Sequence, residues 1–391
     1  MTLRVLFWIF LLIIAYAYLI YTILLMVFSG IRRLVGKLPS YLKDYEPEVT
    51  LFVPAYNEIE CIEQKIENSF KLDYPTDKIR FLWVTDGSDD GSQELLRKYE
   101  NVEVLHQEKR LGKINAMNRG MKYITTPIVV FSDANTDLNK NAIREIVNLF
   151  SDDKVGCVAG EKRIYVDEKE KAVSAGEGIY WLYESFIKRM ESSLGSALGA
   201  VGELFAIRAE LYKDVEEDTI LDDFIISMRI AENRYLIKYA PGAYACERAS
   251  YSIKEELKRK IRIASGGFQT LTRLPELLNF FRYGLLSLQY ISHKVMRWTL
   301  VPLSFIMLFL TNLLIISSQT DAQKFYAIAF IVQVVFYAAA ILGAILRDCK
   351  TRMKFLFMPY YLVVMNYSII LGMIRFFTRK QTAIWEKAKR R

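Results

Sequence analysis

Ile79-Arg80-Phe81-Leu82-Trp83-Val84-Thr85-Asp86-Gly87-Ser88-Asp89-Asp90-Gly91-Ser92 is an apolar run that stops in a knot of acids, glycines and serines. A short run of β-branched and aromatic residues closed by turn formers reads as a buried strand. The pattern recurs on both sides. Residues 49–53 lead into Pro54-Ala55-Tyr56-Asn57-Glu58, and residues 128–131 lead into Ser132-Asp133-Ala134-Asn135-Thr136-Asp137. Residues 102–105 form a further run, and helix-period segments fill the gaps at 58–70, 92–99, 113–123 and 140–150. Strands alternating with helices imply βαβ units and a largely parallel sheet. The carboxyl ends of such strands line the crevice where open α/β sheets bind ligands. Acids gathered there suit a divalent metal, a sugar and a diphosphate better than they suit folding.

The pattern loosens further along. Residues 155–163, 203–208 and 235–240 read as strands, and 172–192, 222–232 and 252–273 as helices. Between them, Leu194-Gly195-Ser196-Ala197-Leu198-Gly199-Ala200-Val201-Gly202 carries too much glycine for a stable helix. Without internal repeats or low-complexity linkers, residues 31–274 read as one compact domain.

Long apolar segments flank that domain. A spanning helix needs about 20 apolar residues, and residues 3–28, 299–316, 325–346 and 355–377 meet this measure. The first lacks a small-residue cleavage site and is too long for a secretory signal, so it is expected to remain as an anchor. Residues 1–30 are then the anchor, 275–298 an interfacial helix region, 299–378 the C-terminal spans and 379–391 a basic tail. Within 275–298, Lys294, Arg297 and Trp298 read as an interfacial anchor.

Charge is +8 over 391 residues. It gathers at membrane flanks: Arg32, Arg33 and Lys37 follow the first anchor, and Arg347, Lys350, Arg352 and Lys354 fill a loop between spans. Cytoplasmic flanks are the Lys- and Arg-rich ones, which places the domain in the cytoplasm at the cell (inner) membrane. No basic–aromatic interleaving marks a nucleic-acid reader. One span before the domain and three after it would put the C-terminus outside, against the cations from Arg379 onward. A re-entrant 355–377, bent at Pro359 and softened by Asn366 and Ser368, is one resolution and a miscounted span another. Cys61, Cys157, Cys246 and Cys349 are scattered, and His106 and His293 stand alone. That spacing fits neither a zinc site nor a disulfide framework.

In this order the motifs resemble membrane-attached family 2 glycosyltransferases, the branch related to hyaluronan, chitin, cellulose and poly-N-acetylglucosamine synthases. The resemblance covers about residues 48–273 and implies a GT-A-like sheet flanked by helices on a helical transmembrane base. It implies an inverting transferase that moves a sugar from a UDP-sugar to a hydroxyl of a growing saccharide. Pro54, Ala55, Tyr56 and Glu58 would surround the uridine, although Asn57 can also be read as a helix cap. Asp86 would read the base, with Asp89 and Asp90 as turn and cap residues. Lys113 of Leu111-Gly112-Lys113 would face the diphosphate. Asp133-Ala134-Asn135 stands in the place of the D-x-D motif, so Asp133 with Asn135 would hold Mg²⁺ or Mn²⁺; Asp137 reads as a turn residue. Asp223 would be the general base and Asp222 its support.

Arg259-Lys260-Ile261-Arg262-Ile263 aligns with the Q-x-x-R-W segment of processive synthases. Arg262 would clamp phosphate oxygens beside Arg259, but Arg259 replaces the Gln and Ile263 the Trp, which leaves processivity open. A lipid-directed single-sugar transferase would share every nucleotide residue, and a non-catalytic scaffold is the remote alternative. Three or four spans are few for a polymer channel, so an exporter or accessory subunit is expected beside a saccharide or lipid-linked acceptor.

Overall fold

The computed structural model describes residues 2–36, 41–42, 44–165, 173–247, 253–318, 323–346 and 354–379. Lys37, the loop cations Arg347, Lys350 and Arg352, Cys349 and the tail after Arg379 lie outside the described residues, as does any orientation argued from them.

Two compact units emerge, and they divide the chain differently from the expected single domain. One takes residues 2–30, 173–184 and 253–379, the other 31–165 and 185–247. Residues 253–273 thus cluster with the apolar helices. The reason is the inward face of that helix: Ile261, Ala264 and Phe268 are buried, and a side chain at Gly372 would strike Ala264 and Ile261.

The α/β unit is an eight-stranded sheet ordered β3-β2-β1-β4-β7-β6-β8-β5. Its strands are β1 (Val49–Ala55), β2 (Ile79–Asp86), β3 (Val102–Gln107), β4 (Ile128–Ser132), β5 (Thr136–Leu138), β6 (Val155–Ile164), β7 (Leu204–Arg208) and β8 (Leu236–Glu247). The first four in that order pair in parallel, with Val53 beside Trp83, Phe81 beside Val102 and Val49 beside Ile128. Beyond β4 the sheet is mixed: β7 runs antiparallel to β4 and β6, while β6 and β8 are parallel. β1 reads as a continuous apolar run because both its faces are covered. Leu51 and Val53 point into one core with Trp83 and Val130. On the other face Phe52 meets Phe131 at 5.2 Å, and Phe131 stacks on Phe205 at 4.7 Å.

Two local expectations are corrected. Asp137 sits in β5, paired antiparallel to β8, where its carboxylate accepts bonds from Gln64 and Tyr165. Nor does Asn57 cap the helix Ile59–Phe70. It takes a left-handed φ of 53° and exchanges two hydrogen bonds with Asp89 instead. Asp90 does the capping, accepting the Ile59 amide at 3.0 Å and the Ser92 amide at 3.0 Å.

Among the described residues, four helices are long and apolar enough to cross a membrane: Thr2–Val35, Leu300–Ser317, Lys324–Ile345 and Met358–Phe377. The last belongs to one continuous helix, Lys354–Phe377, and not to a re-entrant hairpin. Pro359 lies inside that helix, which runs on through it to Phe377. Asn366 and Ser368 bond back to the carbonyls of Leu362 and Val364 within the same helix. Arg297 is not a lipid-facing anchor either. Its guanidinium is buried and donates to Glu184, to Tyr183 and to the carbonyl of Ala17, which a π-helical turn at Tyr16–Ile20 presents. A buried charge persists when it is paired and hydrogen-bonded, and Glu184 supplies that pairing.

Candidate active site

Three parallel strands end at one place. Ala55 closes β1, Asp86 closes β2, and Asp133 follows β4 directly. Together with the turns behind them they line a cleft whose walls include Pro54, Ala55, Tyr56, Glu58, Asp86, Arg110, Gly112, Lys113, Asp133 and Asn135. Every residue expected to meet the nucleotide within this unit is therefore in the lining.

On the nucleotide side, Asp86 is 3% exposed. Its carboxylate accepts the Leu111 amide at 3.0 Å and the Gly112 amide at 2.6 Å. Gly112 reaches this position with φ +102°, a conformation L side chains rarely adopt. Asp86 thus organises the loop that delivers Lys113. Arg110, on the same loop, lies over the Tyr56 ring at 3.7 Å. In the sequence Arg110 carries one signal, a cation three residues before Lys113.

Lys113 is the hub of the other side. Its Nζ donates to Asp133 at 2.8 Å and lies 3.5 Å from Asp222. Both neighbours, with Asp223 beyond them, hold its ammonium charged well above the usual lysine range despite burial. Asp222 and Asp223 open the helix Asp222–Glu232, a terminus that favours acids. Asp223 is pushed up to about 7, first by burial and then by Asp222, with Lys113 pulling the other way and Glu203 adding to the rise. A side chain at Gly202 would come within 3.5 Å of both Asp223 Oδ2 and Lys113 Nζ. The bare glycine leaves that face of Asp223 open.

Two lysines behind the site were not anticipated. Lys162, 1% exposed in its side chain, is ion-paired with both Glu203 and Glu247. Lys65 is 1% exposed, burial pushing it down to about 7 against the pull of Asp133 and Asp137. Its signal was periodicity: Ile62, Lys65, Ile66 and Ser69 share one helix face, and all are buried.

The donor set at Asp133 fits a hard cation. Asn135 Oδ1 is buried without a hydrogen-bond partner, Asn135 lines the same cleft as Asp133, and both side chains offer oxygen ligands. Among the described residues no three or more His, Cys, Asp or Glu side chains surround a metal position. Few protein ligands is the manner of Mg²⁺, which keeps waters and substrate phosphates as its remaining ligands.

Arg259 and Arg262 lie on the helix Ile253–Arg273 of the apolar-helix unit. Arg259 spends its guanidinium on Glu256, at 3.0 and 3.2 Å.

A mostly parallel sheet with acids at its strand ends and a helix-borne acid pair beside Lys113 is a GT-A-like fold. Residues 50–216 match glycosyl transferase family 2. The chain is similar to the poly-beta-1,6-N-acetyl-D-glucosamine synthase of Staphylococcus aureus, 30% identical over 254 residues, which cover 62% of this chain and 60% of the relative. The Staphylococcus epidermidis synthase is 27% identical over 235 residues, covering 58% and 56%. The chain thus spans about three fifths of the length of these relatives. Among solved structures, the mannosyltransferase PcManGT of Pyrobaculum calidifontis, in complex with GDP-Man and Mn2+, aligns over 96% of this chain and 100% of its own. The TM-score is 0.68 at 20% identity, a likeness of fold.

Proposed function

We propose that the α/β unit transfers a sugar from a UDP-sugar to a hydroxyl of a saccharide acceptor, inverting the anomeric carbon. The observation that carries this reading is the meeting of Asp133, Asp222 and Asp223 around Lys113, with Lys113 and Asp133 lining the same cleft as Asp86 and Tyr56. Tyr56 and the Asp86 loop take the uridine. Asp133 and Asn135 hold a divalent cation, which when bound neutralises charge on the diphosphate. Lys113 adds a fixed positive charge where the leaving diphosphate develops its own. The acceptor hydroxyl approaches Asp223 over Gly202 and gives it a proton as the new oxygen–carbon bond forms. The bond from the anomeric carbon to the diphosphate breaks in the same displacement, and UDP leaves. Arg32 and Arg33, in the last turn of the first apolar helix, support a cytoplasmic α/β unit at the cell membrane. A polymer product would call for an exporting partner.

The test is a panel of UDP-sugars given to membranes containing the full chain, with Mg²⁺ or Mn²⁺, followed by mass analysis. UDP-N-acetylglucosamine comes first, given the names of the relatives. Release of UDP with a saccharide ladder is the expected result, and excess chelator should remove most of it. A single added sugar would make the protein a one-step, lipid-directed transferase. Full transfer in chelator would sink the cation role of Asp133 and Asn135, and no UDP release from any donor would leave a scaffold.

The state of Asp223 adds a pH profile. A base must be deprotonated, and this carboxyl is raised to about 7. We therefore expect kcat/KM to climb about tenfold per pH unit below 7 and to level off above it. Because Lys113 holds the value down, Lys113→Met should shift the climb to higher pH as well as weaken donor binding. A flat profile from pH 5 to 8 would remove Asp223 as the base.

A further inference from the structure

The turn that offers Asp133 and Asn135 is held from beneath by one side chain. Lys65 Nζ donates to Ser132 Oγ at 2.7 Å, to the Thr136 carbonyl at 2.7 Å and to Thr136 Oγ1 at 3.3 Å. Those two residues bracket the Asp133–Asn135 turn. Thr136 Oγ1 in turn bonds the Asp133 carbonyl at 2.8 Å, and Ser132 Oγ bonds the carbonyl of Glu203, one residue past the open Gly202. The same helix reaches along the rest of the segment, Gln64 to Asp137 and Asn68 to both the amide and carbonyl of Leu138. Ser132, Thr136 and Lys65 are each 1% exposed, so water offers none of them a substitute partner.

Packing alone explains this poorly. A methionine or leucine would fill the same face of the helix between Ile62 and Ile66, whereas a buried lysine must be desolvated and then satisfied. An ammonium has three donors spread in three directions, and here they tie both ends of one turn together. Groups behind metal- and phosphate-binding residues commonly set their orientation, and losing one typically costs 10–100-fold in affinity.

We propose that Lys65 is a positioning residue for donor binding, its buried ammonium clamping Ser132 to Thr136 so that Asp133 and Asn135 face the diphosphate and its cation. This rests on the UDP-sugar reading above and names a residue that acts through the turn without touching the donor.

The experiment is calorimetric titration of UDP, in the presence and absence of Mn²⁺, into the full-length protein and its Lys65→Met and Lys65→Gln variants. Calorimetry returns both the dissociation constant and the number of sites. A positioning role predicts a Mn²⁺-dependent UDP Kd about 10–100-fold weaker in Lys65→Met, with the number of sites near that of the wild type. Lys65→Gln, which keeps a donor for Ser132 but loses the charge, should fall between. A purely structural role predicts the reverse, fewer sites of unchanged Kd as part of the protein fails to fold. Unchanged Kd in the sites that remain, in either variant, would overturn the proposal. Wild-type protein that binds no UDP at all would overturn the UDP-sugar reading itself and the proposal with it.

Discussion

Asp223→Asn is expected to lower kcat by about 10²–10⁴-fold, the usual contribution of a positioned general base, while leaving the fold and UDP binding in place. The amide nearly matches the carboxylate in shape but cannot take the acceptor's proton. Asp223 also stands in the first turn of the helix Asp222–Glu232 and accepts the Phe224 amide at 2.8 Å, so a helix-terminal role is the competing explanation. That explanation predicts the opposite, because Asn serves helix starts about as well as Asp. Replacement also removes the like-charge contact with Asp222 that helps to raise Asp223, so the variant should lose no stability. Rates of sugar transfer and of UDP release, measured beside a melting curve, separate the two. Near wild-type transfer in a folded variant would leave Asp223 as a terminal residue and make Asp222 the next suspect.

Asp86→Ala should abolish measurable UDP binding and cost stability as well. The carboxylate is buried, and both its oxygens are committed to the Leu111 and Gly112 amides. Its removal strands those two donors, at about 1–3 kcal/mol for each group left unsatisfied. The Lys113 loop then loses its anchor, so the effect reaches the diphosphate side as well as the base side. Asp86→Asn keeps one acceptor oxygen and should sit between, with partial UDP affinity. Direct binding of UDP, with thermal melting alongside, reads both effects. An Asp86→Ala protein that melts and binds UDP as the wild type does would contradict the loop-organising role outright.

Asp86 also shows where reading residues in order stops being informative. Its place at the end of an apolar run was legible, and so was a ligand-facing role, because the strand pattern depends only on neighbours in the chain. That two of its acceptor positions are filled by a loop from beyond β3 was not, since nothing local marks Leu111 and Gly112 as its partners. β5 escaped notice for a related reason. Three residues, Thr136–Leu138, are too few to display a period, and only pairing with β8 makes them a strand. The reversal of β7 is likewise a property of the sheet, because an apolar run has the same composition in either direction. Lys65 is the instructive case. Its helical face was readable from Ile62, Ile66 and Ser69, but a lysine there looks like a boundary residue until the turn above it supplies three acceptors.

By itself the sequence determined that apolar runs end in acids, that helices separate them, and that four segments are long enough to span a membrane. These follow from burial periodicity and length, which each segment carries alone. Tertiary structure alone decided that residues 253–273 cluster with the apolar helices, that Lys113 gathers Asp133 and Asp222, and that Asp223 is raised to about 7. Such outcomes depend on distance and desolvation between side chains far apart in the chain, and Coulomb energy in a buried site changes steeply with both.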